Sequence, residues 1–142
     1  MATVRTEAVI DVAADRVWEA IADVGAVHRR LLPARVAAAR IEDDVRILTM
    51  PDGSQIRELI VSIDERDRRL AYAVIEGQKL PLTYHHASFQ VFEEGERSRL
   101  VWRTDVLPHA MAAAVRARTE IGILEIKRVL ESAGDGTGTP GQ

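Results

Sequence analysis

Cysteine is absent from the 142 residues of this chain, and only 4% of the residues are aromatic. Without cysteine the protein can form no disulfide, no thiolate metal site and no cysteine nucleophile. No apolar run approaches the roughly 20 residues that a membrane-spanning helix needs. The first ten residues, MATVRTEAVI, lack the basic flank and apolar stretch of a signal peptide. We therefore expect a soluble, cytoplasmic protein that is not integral to a membrane.

The sequence also has little that would bind phosphate groups, metals or nucleic acid. Gly77, Gly95 and Gly122 stand alone rather than in a phosphate-binding loop. The four histidines show none of the helical spacings that place two ligands on one metal. The net charge is −3, whereas nucleic-acid-binding proteins carry a basic excess. We expect no metal, no cofactor and no nucleic-acid partner.

The composition favours a single folded domain followed by a short tail. The chain has the usual length of one domain, and its hydrophobic fraction of 46% is sufficient for a core. The last nine residues, GDGTGTPGQ, have almost no side chain that could bury apolar surface. We expect a domain over residues 1–133 and a disordered tail over residues 134–142. Both a monomer and a homodimer are compatible with the sequence.

Hydrophobic periodicity predicts a strand, a helix, a short helix, six more strands and a long helix. The first strand is predicted over residues 3–12, and the two helices after it over residues 13–24 and 26–32. The six later strands are predicted at residues 36–41, 45–50, 55–63, 70–76, 83–92 and 99–106. The last helix is predicted over residues 109–132, because this segment is rich in helix-forming residues and contains no proline.

This order of elements predicts the fold. Strands joined by short links pair as an antiparallel sheet. The last helix has an apolar stripe that includes Met111, Val115 and Gly122, and this stripe must cover one sheet face. Because sheets twist, we predict an α+β fold in which a curved seven-stranded antiparallel sheet wraps around a long C-terminal helix, with two short helices after strand 1. A cavity between sheet and helix would be the place for a ligand.

Several motifs in the same order resemble the START-like (SRPBCC) superfamily, and within it the polyketide cyclase/dehydrase and lipid-transport group. The matching motifs cover nearly all of residues 3–132. They are Asp15-Arg16-Val17-Trp18, Ile63-Asp64-Glu65, Glu76-Gly77, Leu80-Pro81-Leu82 and Ser98-Arg99-Leu100-Val101-Trp102. The resemblance implies a helix-grip fold. It also implies a cavity for either binding alone or binding and transport of a hydrophobic small molecule, of aromatic, polyketide-like or lipid-like character. It leaves open a cyclase, aromatase or dehydrase activity, and also a protein-interaction module with a filled core.

The plant abscisic-acid receptors of this superfamily are similar to the segment from Glu58 to Val106. Their pattern implies that Glu58, Tyr84, His86 and Trp102 lie on the inner face of the sheet. The lysine that holds the ligand carboxylate in those receptors falls near Ala37 here. Their gating-loop motif is replaced by QKLP at residues 78–81. We therefore do not expect an abscisic-acid receptor.

Strand alternation assigns side chains to the two faces of the sheet. On the last strand, Leu100 and Trp102 should point inward with Thr104, since the alternate set is mostly charged and should meet water; it consists of Arg99, Val101, Arg103 and Asp105. For residues 55–63, periodicity alone favours the set Arg57, Leu59, Val61 and Ile63 as core. The resemblance implies the alternate set, which contains Ile56, Glu58, Ile60 and Ser62. We follow the resemblance.

Two further strands complete the predicted lining. The inward sets are Leu70, Tyr72, Val74 and Glu76 on one strand, and Tyr84, His86, Ser88, Gln90 and Phe92 on the next. The second set is polar for a core, and burying an unpaired hydroxyl or amide costs a few kcal/mol. These groups therefore either satisfy one another or line a wet cavity. With Trp102, the aromatic residues Tyr72, Tyr84 and Phe92 are predicted to face that cavity.

Glu58 and His86 are the candidate catalytic residues, because a carboxylate beside an imidazole can act as general acid and base. The competing interpretation is a structural ion pair between Glu58 and Arg118, or a group that faces solvent. The candidate ligand-binding residues are Glu58, Tyr72, Val74, Glu76, Tyr84, His86, Ser88, Leu100, Trp102, Met111, Val115, Arg118 and Gly122. Whether the protein is an enzyme stays open at this point.

Overall fold

The computed structural model of the protein describes residues 2–137. In chain order the elements are β1 (Ala2–Ile10), α1 (Ala14–Ala22), α2 (Val27–Arg30), β2 (Ala38–Glu42), β3 (Val45–Thr49), β4 (Gln55–Asp64), β5 (Arg69–Glu76), β6 (Tyr84–Glu94), β7 (Arg97–Leu107) and α3 (Ala112–Thr137). Short 3₁₀ turns precede α2 and α3, at Val24–Ala26 and His109–Met111. The predicted order of elements is confirmed.

All seven strands form one antiparallel sheet in the order β1-β7-β6-β5-β4-β3-β2. The first strand therefore lies beside the last, with Ala2 opposite Val106 and Ile10 opposite Ser98. Register shifts interrupt the β4–β5 ladder next to Glu58 and again after Ile60. Such bulges bend a strand and increase its twist. The curved antiparallel sheet and the long C-terminal helix confirm the predicted α+β helix-grip fold.

The last helix differs most from its predicted bounds. It starts with a 3₁₀ turn at His109–Met111, and its backbone then stays helical to Thr137 rather than ending at Ser132. It passes through Gly134, which the sequence places just beyond its end. A glycine costs only about 1 kcal/mol in a helix interior and so does not by itself stop a helix. The remainder of the predicted tail, residues 138–142, lies outside the described residues.

Helix α3 presents an apolar stripe to the sheet, as predicted, and Val115, Ile123, Ile126 and Leu130 on it are buried. Gly122 lies at the closest approach. A Cβ atom added there would stand 2.9 Å from Cζ3 of Trp102 and 2.7 Å from Nη1 of Arg35. A residue without a side chain therefore lets the helix pack directly against the Trp102 ring.

The inner faces predicted for β4 and β7 are confirmed, except that Ser62, beyond the second register shift of β4, is exposed. Leu100 and Trp102 of β7 are buried in the main core. On β4, Glu58 is only 6% exposed, whereas Leu59 and Val61 of the other face are 38% and 51% exposed. The resemblance therefore predicted the face of β4 better than periodicity did. The apolar residues on the outer face of β4 are not buried.

The predicted face of β6 is wrong. Phe89 and Ala87 belong to the core that faces the helices, and Tyr84 is 42% exposed. Phe89 lies opposite Trp102 in the register and stacks on it with a ring-centroid separation of 4.6 Å. Side chains alternate along a strand, so His86 lies on the face away from the helices. The same holds for Ser88, Gln90 and Phe92.

Candidate functional site

A cavity of about 540 Å³ lies between the sheet and the helices. This volume falls within the usual range of small-molecule sites. Much of its wall is apolar and comes from α2, the chain after α2, the strands β3 to β7, two of the loops between these strands, and α3. Charged and polar groups interrupt this wall at Arg35, Arg46, Glu58, Tyr72, His85 and Arg118.

Part of the predicted ligand-binding set does surround the cavity. The predicted residues in its wall are Glu58, Tyr72, Val74, Trp102, Val115 and Arg118. They come from four different elements, β4, β5, β7 and α3. The curved sheet and the helix across it bring them together.

The other predicted residues are not in the wall of this cavity. Tyr84, His86 and Ser88 lie on the opposite face of β6. Glu76 is exposed, with its carboxylate 3.9 Å from Nε of Arg57, because the register shift beside Glu58 moves the end of β5 out of the lining. The predicted catalytic pair of Glu58 and His86 is therefore not assembled.

Three further predicted residues do not line the cavity because other side chains pack over them. Leu100 is fully buried in the core. Met111 packs against a separate apolar cluster with Val4, Leu82 and Val106. Gly122 is covered by the Trp102 ring and the Arg35 side chain. Correct inward facing was thus not enough to place a side chain at the cavity surface.

Glu58 is held by Arg46, which is its partner in the β3–β4 register. Both Nε and Nη2 of Arg46 lie 2.8 Å from Oε1 of Glu58, and both side chains are almost fully buried. Arg46 also donates from Nη1 to the carbonyl oxygen of Val24 and lies over the Tyr72 ring, 5.3 Å from its centre. The predicted structural ion pair of Glu58 exists, but its partner is Arg46 and not Arg118.

Tyr72 supplies a neutral phenol to the cavity. Burial raises the pKa of this phenol, and the nearby carboxylate of Glu58 raises it further. The nearby indole N–H of Trp102 acts in the opposite direction on that pKa. Nε1 of Trp102 nevertheless has no hydrogen-bond acceptor among the described residues. The Tyr72 hydroxyl can donate or accept a hydrogen bond.

His85 alternates with the residues of β6 that were predicted to face inward, and it supplies an imidazole to the cavity wall. Burial lowers the pKa of His85 to about 4, and the adjacent His86 contributes to the decrease. The imidazole is therefore neutral at neutral pH. Its Nδ1 atom is buried and has no hydrogen-bond partner within residues 2–137. The apolar alternation of Ala87, Phe89 and Val91 on the same strand was the signal that could have found it.

Two loops that line the cavity are tied together by an ion pair. Nζ of Lys79, in the loop between β5 and β6, lies 2.9 Å from Oδ2 of Asp52 and 2.7 Å from Oγ of Ser54. Hydrogen bonds from Ser54 and Lys79 lower the pKa of Asp52. In the Lys79 loop, Gln78 donates to the carbonyl oxygen of Leu82 at 2.8 Å. Neither loop has periodicity from which sequence reasoning could place it at the cavity.

No helix within residues 2–137 combines the length and the apolar character needed to cross a membrane. Over the same residues, no three His, Asp or Glu side chains are grouped in a way that could hold a metal ion.

Several solved structures share this fold. An uncharacterised protein from Bacillus thuringiensis superposes with a TM-score of 0.81 at 20% identity, over 91% of this chain and 98% of that one. A START superfamily protein from Mycobacterium smegmatis gives a TM-score of 0.70 at 14% identity, over 95% and 98% of the two chains. Norcoclaurine synthase from Thalictrum flavum, in complex with dopamine and hydroxybenzaldehyde, gives 0.69 at 19% identity, over 93% and 85%. At these identities the likeness shows the fold.

No curated protein matches the chain in sequence. A family model does match, and it covers residues 1–131, which include every strand and most of α3. Its description is polyketide cyclase / dehydrase and lipid transport. The resemblance stated from the sequence motifs is thereby confirmed, and the chain belongs to the polyketide cyclase / dehydrase and lipid transport family.

Proposed function

We propose that this protein binds a hydrophobic small molecule, of aromatic, polyketide-like or lipid-like character, in the cavity between the sheet and α3. The observation that carries the proposal is an internal space of about 540 Å³ whose apolar wall is interrupted by a few polar groups. Such a combination is typical of small-molecule sites. A protein-interaction module with a filled core would have no need of this space.

The apolar wall would supply most of the affinity. Burial of apolar surface contributes about 25 cal/mol per Å², so a ligand that buries on the order of 200 Å² gains about 5 kcal/mol before the cost of its immobilisation. Phe89 and Trp102 already stack in the wall. The phenol of Tyr72 and the neutral imidazole of His85 would orient the polar atoms of the ligand.

A cyclase or dehydrase activity is the second candidate, and the placement of Tyr72 and His85 favours it. A neutral imidazole can accept a proton, and a phenol can donate one. Glu58 is less suited to this role because Arg46 holds its carboxylate. The norcoclaurine synthase structure holds two aromatic compounds in this fold. Turnover of a poly-β-ketone substrate that is lost in His85→Asn, while ligand binding is retained, would support the enzyme.

The binding proposal is tested with N-phenyl-1-naphthylamine, a neutral apolar molecule that fluoresces when it leaves water. We expect saturable binding of one molecule per chain. Val115→Phe, which fills the cavity from α3, should weaken binding at least tenfold. Ile121→Phe is the matched control, because Ile121 lies on the same helix and is 68% exposed. An absence of binding, or equal binding in both variants, would contradict the proposal.

A further inference from the structure

Arg35 and Arg118 place two guanidinium groups in the cavity wall. Arg118 is on the second turn of α3, and Arg35 is on the chain between α2 and β2. Nη2 of Arg35 donates to the carbonyl oxygen of Arg118 at 2.9 Å, which fixes the two segments side by side. Burial and the charge of Arg118 both lower the pKa of Arg35. A half-buried positive charge and an exposed one are thus held close together.

The carboxylates nearby are committed elsewhere. Glu58 is paired with Arg46, and Asp52 is paired with Lys79. Glu125 attracts Arg35, but its Oε2 atom accepts the backbone N–H of Ala34 at 2.7 Å. Among the described residues, no carboxylate lies within salt-bridge distance of Arg35 or Arg118. Arg35 is half-buried without a salt-bridge partner, which is costly, and the nearby charge of the exposed Arg118 adds to the attraction for an anion.

The side chain of Arg35 is also held in position before any ligand arrives. Its Nη1 atom lies over Gly122, at 2.7 Å from the place where a Cβ would be, and the Trp102 ring borders the same place at 2.9 Å. Glycine at this position therefore makes room for the guanidinium between the helix and the indole. A fixed guanidinium loses little freedom when it binds a ligand, which increases affinity.

We infer that the ligand of this cavity is an amphipathic carboxylate, whose carboxylate group binds between Arg35 and Arg118 and whose apolar body lies against the Trp102 side of the cavity. The inference rests on the proposed binding function and specifies the class of its ligand. A carboxylate has the two acceptor oxygens that a guanidinium pairs with through parallel hydrogen bonds. Phe89 and Val115 also belong to the apolar wall of the cavity.

The test compares decanoate with decan-1-ol, which have the same chain length and differ in the head group. Each is titrated against bound N-phenyl-1-naphthylamine. We expect decanoate to displace the dye at concentrations about tenfold lower than decan-1-ol, since a charge-assisted pair adds roughly one such factor. Added salt should weaken decanoate binding more than decan-1-ol binding.

Arg118→Gln is the informative variant. Because Arg118 is exposed, we expect the substitution to leave the fold intact. It should bring decanoate to the affinity of decan-1-ol, and Arg118→Lys should retain part of the preference. Arg128→Gln, an exposed position on the same helix, is the control and should behave as the unmodified protein. Equal affinities of decanoate and decan-1-ol in the unmodified protein would overturn the inference and leave the binding function intact. A failure of the dye itself to bind would overturn both.

Discussion

At the scale of single residues, charge in the cavity wall is arranged in two different ways. The Arg46–Glu58 pair is buried and internally neutral, whereas Arg35 and Arg118 have no carboxylate within salt-bridge distance in the described part of the chain. A buried ion pair is weak evidence of stability, but removing one partner leaves an unpaired charge in a poorly solvated place. The Arg46–Glu58 ion pair therefore holds two side chains of the cavity wall in place. The unpaired charges of Arg35 and Arg118 favour a ligand with a negative charge.

Glu58→Gln should destabilise the fold by about 3–5 kcal/mol, because it leaves the Arg46 guanidinium buried without its counter-charge. The double variant Arg46→Met/Glu58→Leu should recover much of the loss, since neither charge is then present. Chemical denaturation measures both values. Glu42→Gln, in the exposed pair with Arg40, is the control and should change stability by less than about 1 kcal/mol. A loss in Glu58→Gln no larger than in the control would contradict the assigned role.

His85 predicts a pH dependence of stability. Its folded pKa of about 4 lies below the value of 6.5 for an unperturbed histidine, so the unfolded chain binds a proton more readily than the folded one. The contribution of His85 to the free energy of unfolding is therefore complete above about pH 6.5, and it is lost as the pH falls toward 4. Between pH 7 and pH 5 the loss should be about 2 kcal/mol.

His85→Asn should remove that part of the pH dependence, as measured by denaturant unfolding at both pH values. His86→Asn offers a matched control on the opposite face of the same strand, and it should retain most of the dependence. If the two variants lose the same amount of stability between pH 7 and pH 5, the conclusion that His85 is buried in its neutral form is wrong.

At the scale of elements, the strand faces show what sequence reasoning could and could not supply. On β6 the apolar alternation of Ala87, Phe89 and Val91 favoured the correct face, and the resemblance placed the polar residues inward instead. On β4 the alternation of Leu59 and its outer neighbours favoured the wrong face, because apolar side chains also occur on protein surfaces. Each source of inference failed on one strand.

Neither failure on these two strands was a matter of secondary structure. Glu58 is inward because Arg46 lies opposite it in the ladder, and that partner is known only once the register is known. Register follows from turn geometry and from which face is buried. Where a strand has polar residues on both faces, which face is buried therefore depends on residues of the neighbouring strands. Local periodicity contains no information about those residues.

The packing of α3 on β7 yields a prediction for Gly122. Gly122→Ala raises the helix propensity of α3 by up to about 1 kcal/mol, yet its Cβ would stand 2.9 Å from the Trp102 ring. Overpacking of this kind typically costs about 1–3 kcal/mol, so we expect a net loss of stability in thermal unfolding. Ala117→Gly, at an exposed site on the same helix, measures the propensity contribution alone. A stability gain in Gly122→Ala would show that the helix and Trp102 are not in close contact.

At the scale of the whole molecule, the fold was the most predictable property and the cavity wall the least. The order of elements, the antiparallel sheet and the covering helix followed from periodicity and from short links. The wall also draws on the segments at residues 31–36 and 77–82, which lie between regular elements. Their contribution depends on how the tertiary fold brings these loops to one side of the sheet. Local sequence patterns do not contain that information.

The central claim is that an apolar ligand enters the space between the sheet and α3, and the two tryptophans report on it directly. Trp102 lies in the cavity wall, whereas Nε1 of Trp18 donates to Glu65 outside it. The most direct measurement is the pair of indole N–H signals in a ¹H–¹⁵N spectrum during titration with N-phenyl-1-naphthylamine. We predict that the Trp102 signal shifts and saturates at one molecule per chain while the Trp18 signal stays in place. An unmoved Trp102 signal at full dye binding would contradict the account, because the dye would then be bound elsewhere.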